Sequence, residues 1–234
     1  MRNHEFNAMA YATPDGKGDF LRKHAPEKME QHRATMEQIG TPRPEEWKEW
    51  LRWFSMLPMF LDLGNLRAVH ASWDPVAVAV LASVKRIDAP ILHAMAPRGS
   101  RLNEFKETLL NGVELTLPEG HLFFDKSGHG RKHIRTRWWE SLKGKTYRQA
   151  VFPGTDDVPE TTIPADLMKM DLTYGVNEPP VFFGHYWLPA DALKRQLAPN
   201  VACLDFSVAK GGDLTAYQWD GESTLDVSKF VGVR

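Results

Sequence analysis

The stretch Met59-Phe60-Leu61-Asp62-Leu63-Gly64-Asn65-Leu66-Arg67-Ala68-Val69-His70 decides how this chain is read. Two short apolar runs flank Gly64-Asn65, and a turn pair of that kind between strand-like runs specifies a β-hairpin. Pro58 stops whatever precedes it, because proline cannot continue a helix. The second run ends on His70, so this strand delivers an imidazole at its tip.

Outward from the hairpin the texture changes on both sides. Pro26 to Ile39 is charged and helix-permissive, and Gly40-Thr41-Pro42 ends that run. Arg43 to Met56 predicts a second helix. Pro44 sits where a first-turn proline is tolerated, and Trp47, Trp50, Leu51 and Phe54 recur at three- and four-residue spacing. Beyond the hairpin, Val76 to Ser83 and Arg101 to Leu110 read as helices. Val113 to Phe152 mixes short strands with an aromatic-basic stretch, Arg135-Thr136-Arg137-Trp138-Trp139, and Gly154 to Pro164 reads as a loop. Val181-Phe182-Phe183 is a strand running into a Gly184-His185 turn. Val201 to Val208 reads as a strand, with Gly211-Gly212 as a hairpin turn and Leu214 to Trp219 as its partner. Two β-rich regions separated by helices predict α/β layering. The expected organisation is a single domain, 1–234, with a helical insertion at about 20–57 and a mixed insertion at about 100–165.

Composition bounds the function. The 234 residues are 42% hydrophobic and 25% charged, with a formal net charge of −1. That balance fits a soluble globular protein and gives no support to a polyanion-binding surface, so no nucleic acid duplex is expected as partner. Cys203 is the single cysteine. It excludes an intramolecular disulfide and a Cys-rich zinc site, and it fits a reducing, cytoplasmic setting. No apolar run has membrane-spanning length, and Met1-Arg2-Asn3-His4-Glu5 lacks the apolar core of a signal peptide, so no membrane partner is expected. The sequence carries no signal for oligomeric state.

Three places share one feature, a histidine at the end of a strand-like run beside small residues: Asn3-His4-Glu5, Val69-His70-Ala71 and Gly184-His185-Tyr186. A strand end lets a side chain enter a cleft from rigid backbone. Neutral imidazole is a good ligand for zinc, iron, nickel and related metals, and an asparagine oxygen suits a mixed N/O site. Asn3, His70 and His185 together can form one face of a metal site, with His4 beside it as proton donor. Each histidine alone has an ordinary reading as a satisfied core or surface residue, and Asn3-His4 alone reads as a disordered start of chain. Arg135 and Arg137 either bind phosphate or form a basic strand face beside Trp138 and Trp139. Asp74 either accepts a hydrogen bond that orients His70 or caps a helix starting at Pro75. His24 and His32 lie in a charged helical region and read as solvated. Cys203, inside an apolar strand, reads as buried rather than reactive.

The words around these residues form an ordered set. Asn3-His4-Glu5 resembles the last three residues of the Gly-Asn-His-Glu motif of calcineurin-like metallophosphoesterases. That superfamily includes the serine/threonine phosphoprotein phosphatases and the symmetrical dinucleoside tetraphosphatases. Val69-His70-Ala71-Ser72-Trp73-Asp74 resembles its next motif, and Phe183-Gly184-His185-Tyr186-Trp187 its late Gly-His motif. Asn200 to Gly212 is similar to the strand pair that follows there. The resemblance implies an α/β fold, a β-sandwich flanked by helices, here N-terminally truncated. It implies hydrolysis of phosphate monoesters or phosphoanhydrides at a centre of two divalent metal ions of the Mn, Fe, Zn or Ni class. In that frame Asn3, His70 and His185 are ligands of the second metal and His4 is the general acid. The implied substrate is a phosphorylated small molecule, a nucleotide or a phosphoprotein.

The sequence departs from the family pattern in one respect. The family's Asp-x-His and Gly-Asp-x-x-Asp-Arg-Gly motifs precede Asn-His-Glu, and this chain has no residues there. Asp15-Gly16, Asp125 and Asp156-Asp157 do not reproduce them, and Arg2 stands where the family has glycine. The first-metal ligands, the bridging carboxylate and the acidic partner of His4 are therefore missing. A site of one amide and two imidazoles has no carboxylate to balance the metal charge, so weak metal binding and impaired turnover are expected. The alternative expectation is a catalytically inactive remnant that acts as a binding or interaction protein. A longer native reading frame, a truncated gene or a second chain would each account for the missing motifs.

Overall fold

The computed structural model describes residues 1–124, 128, 130–168 and 172–234; Asp125 lies outside them. Helix α1 (Asn3–Ala12) is followed by α2 (Pro26–Thr35), which runs into a π-helical turn at Met36–Gly40, and by α3 (Pro44–Met56). Strands β1 (Phe60–Asp62) and β2 (Arg67–Val69) precede α4 (Pro75–Leu81), α5 (Ala89–Met95) and α6 (Arg101–Asn111). The middle section holds β3 (Glu114–Thr116), β4 (Phe123–Phe124), β5 (Gly130–Arg131), β6 (His133–Arg135) and the short α7 (Tyr147–Ala150). The chain ends with β7 (Val181–Phe183), β8 (Val201–Cys203), β9 (Leu214–Tyr217) and β10 (Phe230–Val233).

The hairpin forms as its sequence demands. β1 and β2 are antiparallel, with Phe60 opposite Val69. Gly64 adopts φ +81, a left-handed conformation that glycine reaches without steric cost, and its N–H donates to the Asp62 carboxylate at 3.0 Å. β2 then pairs in parallel with β7, and β7 in parallel with β8, giving the order β1-β2-β7-β8. Val181, Val201, Ala202 and Cys203 are fully buried. Each buried aliphatic side chain of this size contributes roughly 1.5 to 3 kcal/mol, so β7 and β8 anchor the sheet. β1 is the open edge, and Leu63 just beyond it is 63% exposed.

One large core joins α1, α4 to α6 and this sheet, through Phe6, Met9, Leu81, Met95, Leu109, Trp138 and Phe183. A second, smaller core lies wholly within the middle section, built from Leu115, Leu117, Ile134, Leu142, Tyr147, Val151, Val158 and Ile163. The architecture is mixed α/β with small sheets: one of four strands and three ribbons of two among the described residues. Among those residues no helix is long and apolar enough to cross a membrane.

Three local expectations are corrected. Asn3-His4-Glu5 does not end a strand; it forms the first turn of α1. Glu5 makes that turn possible, because its carboxylate accepts from the Arg2 backbone N–H at 2.7 Å. The hairpin expected between Val201–Val208 and Leu214–Trp219 does not form. After Cys203 the backbone is claimed elsewhere: Leu188 N–H donates to the Asp205 carbonyl at 2.9 Å, and Trp187 N–H to its carboxylate at 3.3 Å. A single bridge joins Asp205 to Leu214, and β9 pairs instead with β10, Tyr217 opposite Phe230. Helix α5 was not anticipated, although Asp88 caps it by accepting from Ile91 N–H at 3.2 Å.

Candidate functional site

The two parallel strands β2 and β7 end side by side, and each is followed by one of the expected histidines. Gly184 N–H donates to the His70 carbonyl at 3.0 Å, which ties the two strand tips together. The carboxyl ends of parallel strands are where α/β sheets place ligands. His185 itself sits at φ +69 and Trp187 at φ +53, both rare for non-glycine residues. Asp205 holds this turn through the Trp187 N–H, and Tyr186 N–H closes it on the Gly184 carbonyl at 2.9 Å. The turn directs the His185 ring back across the strand tips.

Asn3 enters from the first turn of α1 and reaches His70, which in turn reaches His185. Its Oδ1 lies 3.1 Å from His70 Nε2, and His70 Nε2 lies 3.2 Å from His185 Nδ1. Ligand atoms held about 2.0 to 2.2 Å from one metal ion stand about 2.8 to 3.6 Å apart, depending on octahedral or tetrahedral geometry. Both measured distances fall in that window.

The electrostatics favour neutral imidazoles. Burial lowers His70 from 6.5 to about 3, helped by Arg2 and opposed by Glu5. Burial lowers His185 to about 2, helped by Arg135 and His70. Both rings therefore keep lone pairs at neutral pH, as metal ligands require. His185 Nε2 is buried without a hydrogen-bond partner.

The remaining expected residues divide. His4 is exposed on the same turn as Asn3 and acts electrostatically on His70 and His185. Arg135 stands beside the site, where its Nε donates to the Asn111 carbonyl at 3.2 Å. Arg137 is turned elsewhere: it pairs with Glu140 at 3.8 Å and lies over the Phe152 ring. Asp74 takes the second of its two expected roles, capping α4 by accepting from Val76 N–H at 2.8 Å. Cys203 is fully buried, and burial pushes its thiol up to about 12.

His32 is not solvated, as its charged surroundings suggested. It is buried against the Tyr11 ring at 4.8 Å, burial lowers it to about 4, and its Nε2 has no partner. His24 is sandwiched between Tyr11 and Phe20, with ring centroids at 3.8 and 4.1 Å.

Asn111 was not anticipated from the sequence. It ends α6, and its side-chain Oδ1 accepts from Asn3 Nδ2 at 3.4 Å. Gly112 follows at φ +90, where a Cβ would lie 2.6 Å from the Tyr186 hydroxyl, so only glycine lets α6 end this close to the site. A cleft of ≈ 880 Å³ opens beside Asn111 and Arg135, with Arg98, Asn103, Glu107 and Glu114 also on its walls. Its lining comes mainly from α6 and β3. Among the described residues, three or more His, Cys, Asp and Glu side chains nowhere gather around a common point; the set Asn3, His70 and His185 owes its third member to an amide. No family model, curated protein or solved structure matches this chain.

Proposed function

We propose that the chain carries the Asn/His/His side of a metal-dependent phosphoesterase centre within a calcineurin-like α/β fold. The observation that supports this reading is that His70 Nε2 lies 3.1 Å from Asn3 Oδ1 and 3.2 Å from His185 Nδ1, which brings together positions 3, 70 and 185 of the sequence. A divalent ion held there would neutralise charge on phosphoryl oxygens during attack. The chain's own residues supply the rest. His4, exposed beside Asn3, would protonate a leaving-group oxygen, and Arg135 would hold a phosphoryl oxygen through a guanidinium N–H. The cleft beside Asn111 and Arg135 would receive the remainder of a phosphorylated small molecule, nucleotide or phosphoprotein.

Metal content and hydrolysis of p-nitrophenyl phosphate test the reading. The expected result is at most one weakly held ion per chain and little turnover, because among the described residues no carboxylate joins Asn3, His70 and His185. His4→Ala should lower turnover more than metal content, and His185→Ala should lower both. Metal content unchanged in His185→Ala would sink the reading.

A second reading, a non-catalytic protein of that fold that binds a partner, is favoured by the surface. A folded chain of 26.6 kDa exposes about 10,700 Å² by the usual scaling, and this one exposes 13507 Å². Trp53 at 47% and Leu63 at 63% exposed contribute to the excess. Sedimentation of the chain with and without metal separates the two: a partner-bound role predicts association that is indifferent to the ion.

A further inference from the structure

We infer that Glu107 and Asn111 form a relay that decides which atom of Asn3 faces His70; the inference rests on the metal-site reading above. An asparagine amide has an acceptor end and a donor end of nearly equal size, and only the acceptor end can ligate a cation. Nothing in Asn3 itself selects between them. The selection comes from α6. Glu107 and Asn111 lie four residues apart on that helix, so their side chains meet on one face. The Glu107 carboxylate has no hydrogen to give, and Asn111 Nδ2 donates to it. Lys106 Nζ donates to its other oxygen, which fixes the carboxylate in place. Asn111 is thereby turned so that its Oδ1 points at Asn3, where it accepts from Nδ2 at 3.4 Å. With its donor end taken, Asn3 presents Oδ1 to His70 Nε2 at 3.1 Å. A carboxylate outside the three candidate ligands thus sets the polarity of the amide among them.

Glu107 and Asn111 are positioning residues, and outer partners of this kind change metal affinity by about 10- to 100-fold. The test is titration of the full chain with Co²⁺, followed by its visible absorption, alongside thermal unfolding in chelator. Glu107 is 48% exposed on its side chain, so Glu107→Ala is expected to fold normally. It should weaken Co²⁺ binding about tenfold without moving the unfolding midpoint in chelator. Adding Asn111→Asp to that variant should restore affinity to within about threefold, because an aspartate at 111 can only accept and so holds Asn3 Nδ2 unaided. A purely structural role for Asn111 predicts no such rescue. Glu107→Ala that binds Co²⁺ as tightly as the unmodified chain, or a double variant with no recovery, overturns the relay. His70→Ala is the separate control. If it also leaves Co²⁺ binding untouched, the metal site itself is wrong; if it loses binding while Glu107→Ala does not, the relay alone fails.

Discussion

Two histidine pairs in this chain are built from the same residue type and end in different chemistry. His70 and His185 follow parallel strands; His24 and His32 belong to the segment around α2. His32 is as buried as His185, and both are held neutral, near 4 and near 2. Yet His70 and His185 turn nitrogen toward nitrogen at 3.2 Å, while His24 and His32 present ring faces and edges to Tyr11. Burial keeps His32, like His70 and His185, neutral. Only the backbone decides whether ring nitrogens meet. Adjacent parallel strands lie about 4.8 Å apart, which brings residues at their tips within reach of one ion. A helix packed on an aromatic ring offers no such pairing.

The sharpest way to break this contrast is to remove each histidine in turn. If the proposed metal site is right, His70→Ala and His185→Ala should weaken Co²⁺ binding about 100-fold or more, since each would remove a ligand atom. His24→Ala and His32→Ala should leave it within about twofold. Equal losses across all four, measured by the same titration, would mean that burial and not convergence governs the site.

Acid acts on what the two pairs share. His32, His70 and His185 all have folded values lowered from 6.5 by burial. Below about pH 6.5 the unfolded chain takes up protons that the folded chain refuses. Stability is therefore full above that pH and falls as the pH drops toward 4, with further loss toward 2 to 3. The limiting slope is about 1.4 kcal/mol per pH unit for each group. Urea denaturation midpoints in chelator from pH 7.5 to 4.5 should fall steadily. His32→Phe removes one proton uptake and one unpartnered buried nitrogen, so it should flatten the curve and add about 1 kcal/mol at pH 5. Midpoints that stay level from pH 7 to 5 would show that these rings are solvated after all.

How much of this was legible depends on what each residue answers to. The β1–β2 hairpin and α3 were readable because local rules suffice: a Gly-Asn turn, a first-turn proline, apolar spacing. Asn3, His70 and His185 were readable as a set only through the motifs that surround them. Helix α1 was not, because Arg2 is a poor cap by type and Glu5 does the capping from inside the helix. β9 was read correctly as a strand and given the wrong partner, since pairing is decided by Asp205 engaging the His185 turn, a contact across 18 residues. Glu107 and Asn111 were invisible for a different reason. On an amphipathic helix they look like any solvated polar face, and their use appears only once α1 is packed beside α6. His32 failed in the opposite sense: its charged neighbours suggested water, and Tyr11 buried it.

Asp74 gives the smallest effect and the finest test of whether the strand-tip pair stands alone. Its two expected roles, orienting His70 and capping α4, predict different responses to the same substitutions. It is 3% exposed and accepts from Val76 N–H at 2.8 Å, the geometry of a cap. Asp74→Ala should then cost about 1 kcal/mol in unfolding stability, while Asp74→Ser, which can still cap, should cost only a few tenths. Co²⁺ affinity should stay within about twofold in both. If Asp74 instead steadied His70, both variants would weaken the ion by about tenfold, and serine would fare no better than alanine. The ranking of alanine against serine, read on stability and metal affinity together, therefore says which neighbour Asp74 serves. It also says whether the three candidate ligands are oriented from α6 alone or from α4 as well.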